Sequence, residues 1–363
     1  MKGKLILLSR AVYAIAWFLI APAVPGMLVR FGLPSSFAAE AVSSFFVATG
    51  LFQIPSAAVA SRVGAKVAYS LGLVIIGISE IALGVSSSPL QVMVFYFLTG
   101  AGASLFFSSA GGTLSRLNPG EEQKAMGAYN ALFSFGGTAG LALGYLEAEL
   151  GFSPVAIAVG VMTSLLGVLN LASHYPNFEV EFSGKGVRDV LPISVMTSGV
   201  WGIYYLVSEL FPTYVFVSYG VSPKESSLIA SLMTLASGIG GAAAIALRMK
   251  LASLDKVVSL SVIGTLPALM IYSSSLWSVG LFVLGFFNEL AITAIYAYVL
   301  NVSGSKSGTL GLATVNSGEI LGGVALFILA GADISQSFAL AVLVSLVELF
   351  LLVPYARVKS LRS

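Results

Sequence analysis

Apolar runs of about 20 residues alternate with short polar gaps along the whole chain, and each run is long enough to cross a hydrocarbon core of roughly 30 Å. The pattern predicts helices over 6–30, 37–60, 67–86, 90–115, 125–147 and 154–174. A polar stretch from His174 to Asp189 follows, then helices over 191–217, 224–247, 257–275, 277–301, 308–330 and 335–355. The expected fold class is an all-α membrane protein with twelve transmembrane helices. The opening Met1-Lys2-Gly3-Lys4 and its apolar run look like a signal peptide, but Arg10 interrupts the run and it continues past Pro22. It is read as the first span. Pro22, Pro25 and Pro212 predict bends, because proline removes a backbone donor.

One segment occurs twice. Asn130, Gly136-Gly137 and Ala139 are matched 186 residues later by Asn316, Gly322-Gly323 and Ala325, and the same offset carries Arg62 onto Arg248. A common offset at two loci predicts two parallel repeats, a transporter signature. The expected domains are an N-terminal six-helix bundle over 1–178, a cytoplasmic connecting loop over 179–190 and a C-terminal six-helix bundle over 191–363.

Inside the spans, polar residues recur at spacings of three, four and seven. Arg10, Tyr13 and Trp17 share one helical face, as do Tyr96, Ser104 and Ser108, and Trp201, Tyr204, Tyr205, Ser208 and Glu209. Two further stripes are Glu289, Thr293 and Tyr296, with Asn288 on another face, and Asn316 with Glu319. Lipid favours no such stripe, so these faces should look into a bundle interior or a wet cavity. The 39 glycines fit close helix packing in lipid.

Composition agrees with the spans: 57% of residues are hydrophobic, 9% are charged, and mean hydropathy is +0.96. A soluble chain of this length needs a charged surface that 9% cannot supply. With no cysteine and the single histidine His174, thiol chemistry is excluded and metal or triad chemistry is opposed, so no enzyme, metal or cofactor is expected. The basic residues lie in short loops, and no nucleic-acid partner is expected. With both termini cytoplasmic, sixteen Lys and Arg fall at the inner side and only Arg30 and Lys224 outside, a strong positive-inside bias. A multi-pass protein of the plasma (or bacterial inner) membrane, working as a monomer, is expected.

Over essentially its whole length the chain resembles the major facilitator superfamily. Arg62, Gly64 and Lys66 match the family's loop between helices 2 and 3, with Ser61 in place of its aspartate. Gly100-Ala101-Gly102-Ala103 matches the Gly-rich run of helix 4, with Tyr96 in place of the arginine. Gly136 and Gly140 match the helix 5 motif, with Gly137 in place of proline. The resemblance implies alternating access, with one half rocking against the other.

The expected function is secondary active transport of a small molecule, with protons as the candidate coupling ion and efflux of neutral or cationic amphiphiles favoured. The alternative is a non-transporting receptor or sensor on the same scaffold, which would be expected to carry an output domain. Tyr13, Trp17, Tyr96, Ser104, Asn130, Trp201, Tyr204 and Asn316 are the expected substrate contacts, and Arg62, Gly64, Lys66 and Arg248 the expected gating residues. Arg62 and Arg248 would each hold the inner ends of their own half together. Glu289, Glu319 and Glu209 are the expected proton-coupling residues, since an acid in mid-span costs about 2.5–3.5 kcal/mol and no cation lies at their depth. Arg10 is about 9 Å along the helix from Lys4 and is expected to snorkel to the inner interface. Glu40, Glu147 and Glu149 are expected in solvent, and Glu80 and Glu348 in structural roles.

Overall fold

The protein is described by a computed structural model covering residues 1–334, 340, 343 and 344, except 183, 248 and 332, with backbone alone at 123, 184–187, 189 and 304–306. Among the described residues there are helices and turns and no strand. The first span is two helices in line, α1 (Lys4–Phe18) and α2 (Ile20–Phe31). Pro22 offers no N–H to the carbonyl of Phe18, four residues earlier, and α1 ends at Phe18. The hydroxyl of Tyr96 donates to the neighbouring Trp17 carbonyl at 2.8 Å.

The N-terminal half continues with α3 (Ser36–Val63), α4 (Ala65–Gly84), α5 (Pro89–Leu117), α6 (Glu122–Ala142), α7 (Gly144–Leu150) and α8 (Phe152–Ala172). The C-terminal half holds α9 (Gly184–Met196), α10 (Ser198–Tyr219), α11 (Pro223–Ala246), α12 (Leu254–Thr265) and α13 (Trp277–Gly331). Sequence rules set several boundaries. Ser88 and Ser222 accept from the N–H groups of Gln91 and Glu225, each at 3.3 Å, and each precedes a proline at the first helical position. Gly64 turns the chain between α3 and α4 at φ 87, a conformation that suits glycine. The expected ninth helix passes from α12 into a 3-10 helix over Leu266–Tyr272, where Pro267 removes a donor.

α13 is helical by its backbone over 55 residues, yet it folds back on itself. Tyr296 and Asn316 would be roughly 30 Å apart in a straight helix, but their side chains are hydrogen-bonded at 3.2 Å. With the 3-10 turn Ser274–Leu276 ahead of it, it therefore supplies two spans, Ser274–Ser303 and Ser307–Gly331. Ten segments among the described residues are long and apolar enough to cross a membrane. α6 fills the fifth expected place but is more polar, and the twelfth, over 335–355, lies mostly outside the described residues.

Packing repeats with the sequence. α6 lies so close to α1 that a Cβ on Gly136 would run into the backbone of Ala11, and one on Gly140 into that of Ile15. In the second half α13 lies against α10 the same way, Gly322 on Ser198 and Gly323 on Gly202. Ala11 plus the offset of 186 falls at Thr197, one residue from Ser198, so the two glycine contacts match in register to within one residue, although Gly136 meets backbone and Gly322 a side chain.

Candidate functional site

Aromatic rings fill the middle of the molecule. Trp17 of α1 stacks on Tyr205 of α10 with centroids 5.3 Å apart, and Tyr205 stacks on Trp201 at 4.8 Å. Phe133 of α6 meets Trp17 edge-on at 5.5 Å and Trp201 at 6.4 Å, while Tyr13 lies on Phe106 at 4.9 Å. α1 and α6 belong to the N-terminal half and α10 to the other, so this cluster joins them. Such pairs contribute about 0.5–1.5 kcal/mol each beyond their buried area. Of the expected substrate contacts, Tyr13, Trp17, Trp201 and Tyr204 all lie in it.

Arg10 does not snorkel. It is 1% exposed, and its guanidinium carbon sits 4.2–5.0 Å from the ring centroids of Phe133, Tyr129, Tyr13 and Phe107. The stripe Arg10–Tyr13–Trp17 turns the side chain into the bundle, where α5 and α6 supply rings. Removing it from the inner tally leaves fifteen basic residues against two. Desolvating a cation costs several kcal/mol, and desolvated cation–π contacts return about 2 kcal/mol or more at best. The rings answer the charge but not the N–H groups: Nε and Nη1 are buried with no hydrogen-bond partner.

Glu289 of α13 lies between the halves. Ser134 of α6 and Ser237 of α11 both donate to its Oε2, at 3.1 and 2.8 Å, and Thr293 donates to Oε1 at 3.2 Å. The two serines are also 2.7 Å from each other, and Thr138 bonds Thr234 at 3.1 Å one turn on. Hydrogen bonds to a charged group contribute about 1.5–3 kcal/mol each, so three are comparable with the cost of burying a carboxylate. Phe133, on the Arg10 guanidinium, and Ser134, on Glu289, are consecutive residues. Arg10 is thus within electrostatic reach of Glu289, with Tyr204 in reach of both, although no ion pair forms. The expectation that no cation lies at the depth of Glu289 is corrected accordingly. Asn288, on its separate face, donates to the carbonyls of Val200 and Gly264 at 2.9 and 3.3 Å.

The remaining candidates divide. Glu319 takes one bond, from Thr197 at 3.0 Å, and keeps Oε2 unpartnered; both oxygens of Glu209 are unpartnered. Asn316 accepts from Tyr296, whereas neither amide atom of Asn130 has a partner. Tyr96 is engaged by the α1 carbonyl, and Ser104 bonds Ser56 at 2.8 Å within the α3–α5 contact. Glu80 accepts from Thr99 at 3.2 Å, and Glu40 and Glu149 are exposed as expected. Glu147 is not in solvent: it is 8% exposed, because α7 starts at a Gly144 packed on Pro22 and Ser227. It lines a cavity of about 660 Å³ with Met27, Leu83 and Lys224, at the end of the bundle away from Arg62. A second cavity, of about 680 Å³, opens at the Arg62 end among Glu121, Lys124 and Lys250 and reaches Thr293.

At that end the expected gate is differently built. Arg62 is exposed and, among the described residues, makes no ion pair or hydrogen bond; Arg248 lies outside them, as does Glu348. The contacts there are made by Lys66, an expected gating residue, and by Asn177 and Arg116, which were not among the expected ones. Asn177 accepts from the Lys66 N–H at 2.9 Å and donates to the Val63 carbonyl at 2.9 Å, bracketing Gly64. Lys66 Nζ donates to the Ser173 carbonyl at 2.6 Å, and Arg116 to that of Glu179 at 2.6 Å. Arg62 points past the loop to solvent because side chains and carbonyls of 173–179 already close it.

The family model described as Major Facilitator Superfamily matches residues 6–250. The chain belongs to the major facilitator superfamily. No curated protein sequence matches it. Its fold is similar to that of the human organic anion transporter MFSD10 (TETRAN), with TM-score 0.74 and 13% identity over 96% of this chain and 98% of that one. It is also similar to a bacterial homologue of the human lysosomal transporter Spinster, captured inward-facing and occupied, with TM-score 0.67 and 13% identity over 98% and 96%. The chain is accordingly a multi-pass membrane protein with a transporter fold. As a major facilitator it departs from the family loop at Ser61, which bonds its own helix through the Ala58 carbonyl at 2.8 Å.

Proposed function

We propose that this major facilitator is a proton-coupled secondary transporter of a small molecule, in which Glu289 carries the proton. The observation that carries the reading is the position of Glu289, bonded at once to Ser134 of one half and Ser237 of the other. A carboxylate so held links its charge state to the contact between the halves, residues 1–178 and 191–363, which move against each other about the loop 179–190. The cavity that reaches Thr293 supports a water path to Glu289 from the Arg62 end.

The charge bias supports an orientation with that end and both termini cytoplasmic. Since the chain has no cysteine, single cysteines replacing Ser87 or Ser222 should react with an impermeant reagent from outside, and one replacing Ser61 only after permeabilisation. Glu319, bonded within the C-terminal half, and Glu209, whose oxygens are unpartnered, are second candidates for the proton. The preference for a neutral or cationic substrate rested on a centre without cations, and Arg10 removes that basis.

The test uses Glu289→Gln, a near-isosteric change, in proteoliposomes with a compound chosen by thermal-shift screening. Uphill accumulation driven by a pH gradient should vanish while counterflow exchange persists. Gradient-driven accumulation surviving in Glu289→Gln would remove the proton role from this residue.

A further inference from the structure

The centre of the bundle holds a buried guanidinium packed among rings, with Glu289 in electrostatic reach but not bonded to it. The unpartnered donors around it are Nε and Nη1 of Arg10 and Nε1 of Trp201, with the hydroxyls of Tyr13 and Tyr204 able to donate, while Nε1 of Trp17 faces the unpartnered carboxyl of Glu209. A guanidinium presents its N–H groups as a fork that matches a carboxylate bidentately. Aromatic faces beside it suit an apolar or aromatic body. Among the described residues no acceptor bonds Nε or Nη1 of that fork.

We propose that Arg10 docks the anionic group of a monovalent organic anion, a carboxylate on an aromatic or apolar body, and that the anion and a proton on Glu289 are carried together. The inference rests on the proton role of Glu289 argued above. With Arg10 charged and Glu289 ionised, the pair is electrically balanced, provided that the buried Glu209 and Glu319 stay protonated throughout. An entering anion adds one negative charge to a medium of low dielectric. Protonation of Glu289 restores the balance, so the anion and one proton bind as a neutral pair and leave as one.

The groups facing these two charges are few. Arg10 meets Tyr13 of its own helix, Phe107 of α5, and Tyr129 and Phe133 of α6; Tyr204 and Tyr205 of α10 and Tyr296 of α13 lie within its electrostatic reach. Glu289 meets Ser134, Ser237 and Thr293, with Arg10 and Tyr204 in range. Among these neighbours Glu289 is the acid and Arg10 the base, so the exchange of charge falls to this pair. Ser134 and Ser237, which hold the carboxylate across the seam, are positioned to register its loss of charge.

The test uses the purified full chain and two matched probe sets, benzoate and indole-3-acetate against benzamide and indole-3-acetamide. Binding is read from the fluorescence of Trp17 and Trp201, and proton uptake from an indicator dye in weak buffer. The carboxylates should bind at least tenfold tighter than the amides, with close to one proton taken up per anion. Arg10→Gln should lose this preference, and Arg10→Lys, which keeps the charge in case the glutamine variant does not fold, should weaken carboxylate binding about tenfold while retaining proton uptake. Glu289→Gln should bind the carboxylates with no proton uptake. Carboxylates binding no better than amides, or unaffected by either Arg10 variant, overturn the anion site. Anion preference intact with proton uptake unchanged in Glu289→Gln would instead remove the proton from Glu289 and leave the anion site standing.

Discussion

Two of the seams along which the halves meet are of opposite character. α6 against α11 is polar: Thr138–Thr234, Ser134–Ser237 and Glu289 form a line of hydrogen bonds at its middle. α3 against α13 is apolar and small, with Ala57 on Leu310 and Ala313, Gly50 beneath Ile320 and Leu321, and Ala39 beside Gly331. Its hydrogen bond is Ser317 to the Gly50 carbonyl, at 2.7 Å. In lipid neither seam has a hydrophobic drive to close, so close packing holds one and hydrogen bonds the other. A seam of small residues can slide or part with no charge to account for. A seam centred on a carboxylate changes its strength with the charge of that group. On the proposed function, α3–α13 is the mechanical contact and α6–α11 the place of chemical control.

The largest effect should come from filling the closest contact within a half. Gly136→Ala places a methyl against the Ala11 backbone, which cannot rotate away, whereas Gly322→Ala meets the Ser198 side chain. Thermal unfolding should show Gly136→Ala destabilised by about 3 kcal/mol or more and Gly322→Ala by about 1–2, within the range for overpacking. Equal losses would mean that the two repeats are packed alike at this contact.

On the polar seam, the double change Ser134→Ala with Ser237→Ala strips Oε2 of Glu289 of both donors. Removal of buried partners of a charged group costs about 1–3 kcal/mol each, so gradient-driven turnover should fall at least tenfold, and more than in either single variant. On the apolar seam, Gly50→Ala meets only the flexible Leu321 and Ile320 side chains. It should slow turnover severalfold without changing the pH dependence, measured in the same vesicles. A pH shift in Gly50→Ala would erase the contrast between the seams. The smallest effect is expected at Arg62→Ala, within about 0.5 kcal/mol of wild type and with normal turnover, because the side chain is exposed and unpaired. Asn177→Ala, which opens the bracket on Gly64, should be the more damaging change at that end.

The spans were legible because lipid imposes a length and a period that composition reports directly. The repeat was legible at Gly136 and Gly322, since close approach in each half needs the same small residue at the same register. Glu289 stood out because an acid in mid-span is expensive and must be explained. What escaped was set by partners distant in sequence. Arg10 reads as a snorkelling residue until Phe107, Tyr129 and Phe133 from two other helices enclose it. Ser134 and Thr138 are four apart on α6, and Thr234 and Ser237 three apart on α11, so a hydroxyl stripe was visible on each helix. Only the fold shows that the stripes face each other. Asn177 carried no periodic signal, because its role comes from the left-handed turn at Gly64, more than a hundred residues away.

The central claim is that the halves part alternately at their two ends about a centre controlled by Glu289, and cross-linking tests it most directly. The chain has no native cysteine, so paired cysteines can be placed on a clean background. Gly127→Cys with Ile245→Cys joins α6 to α11 at the Arg62 end, and Ala39→Cys with Gly331→Cys joins α3 to α13 at the other, each pair being in contact in this structure. Oxidising either pair should stop transport in proteoliposomes, and reduction should restore it. Undiminished transport with both ends cross-linked would contradict the account.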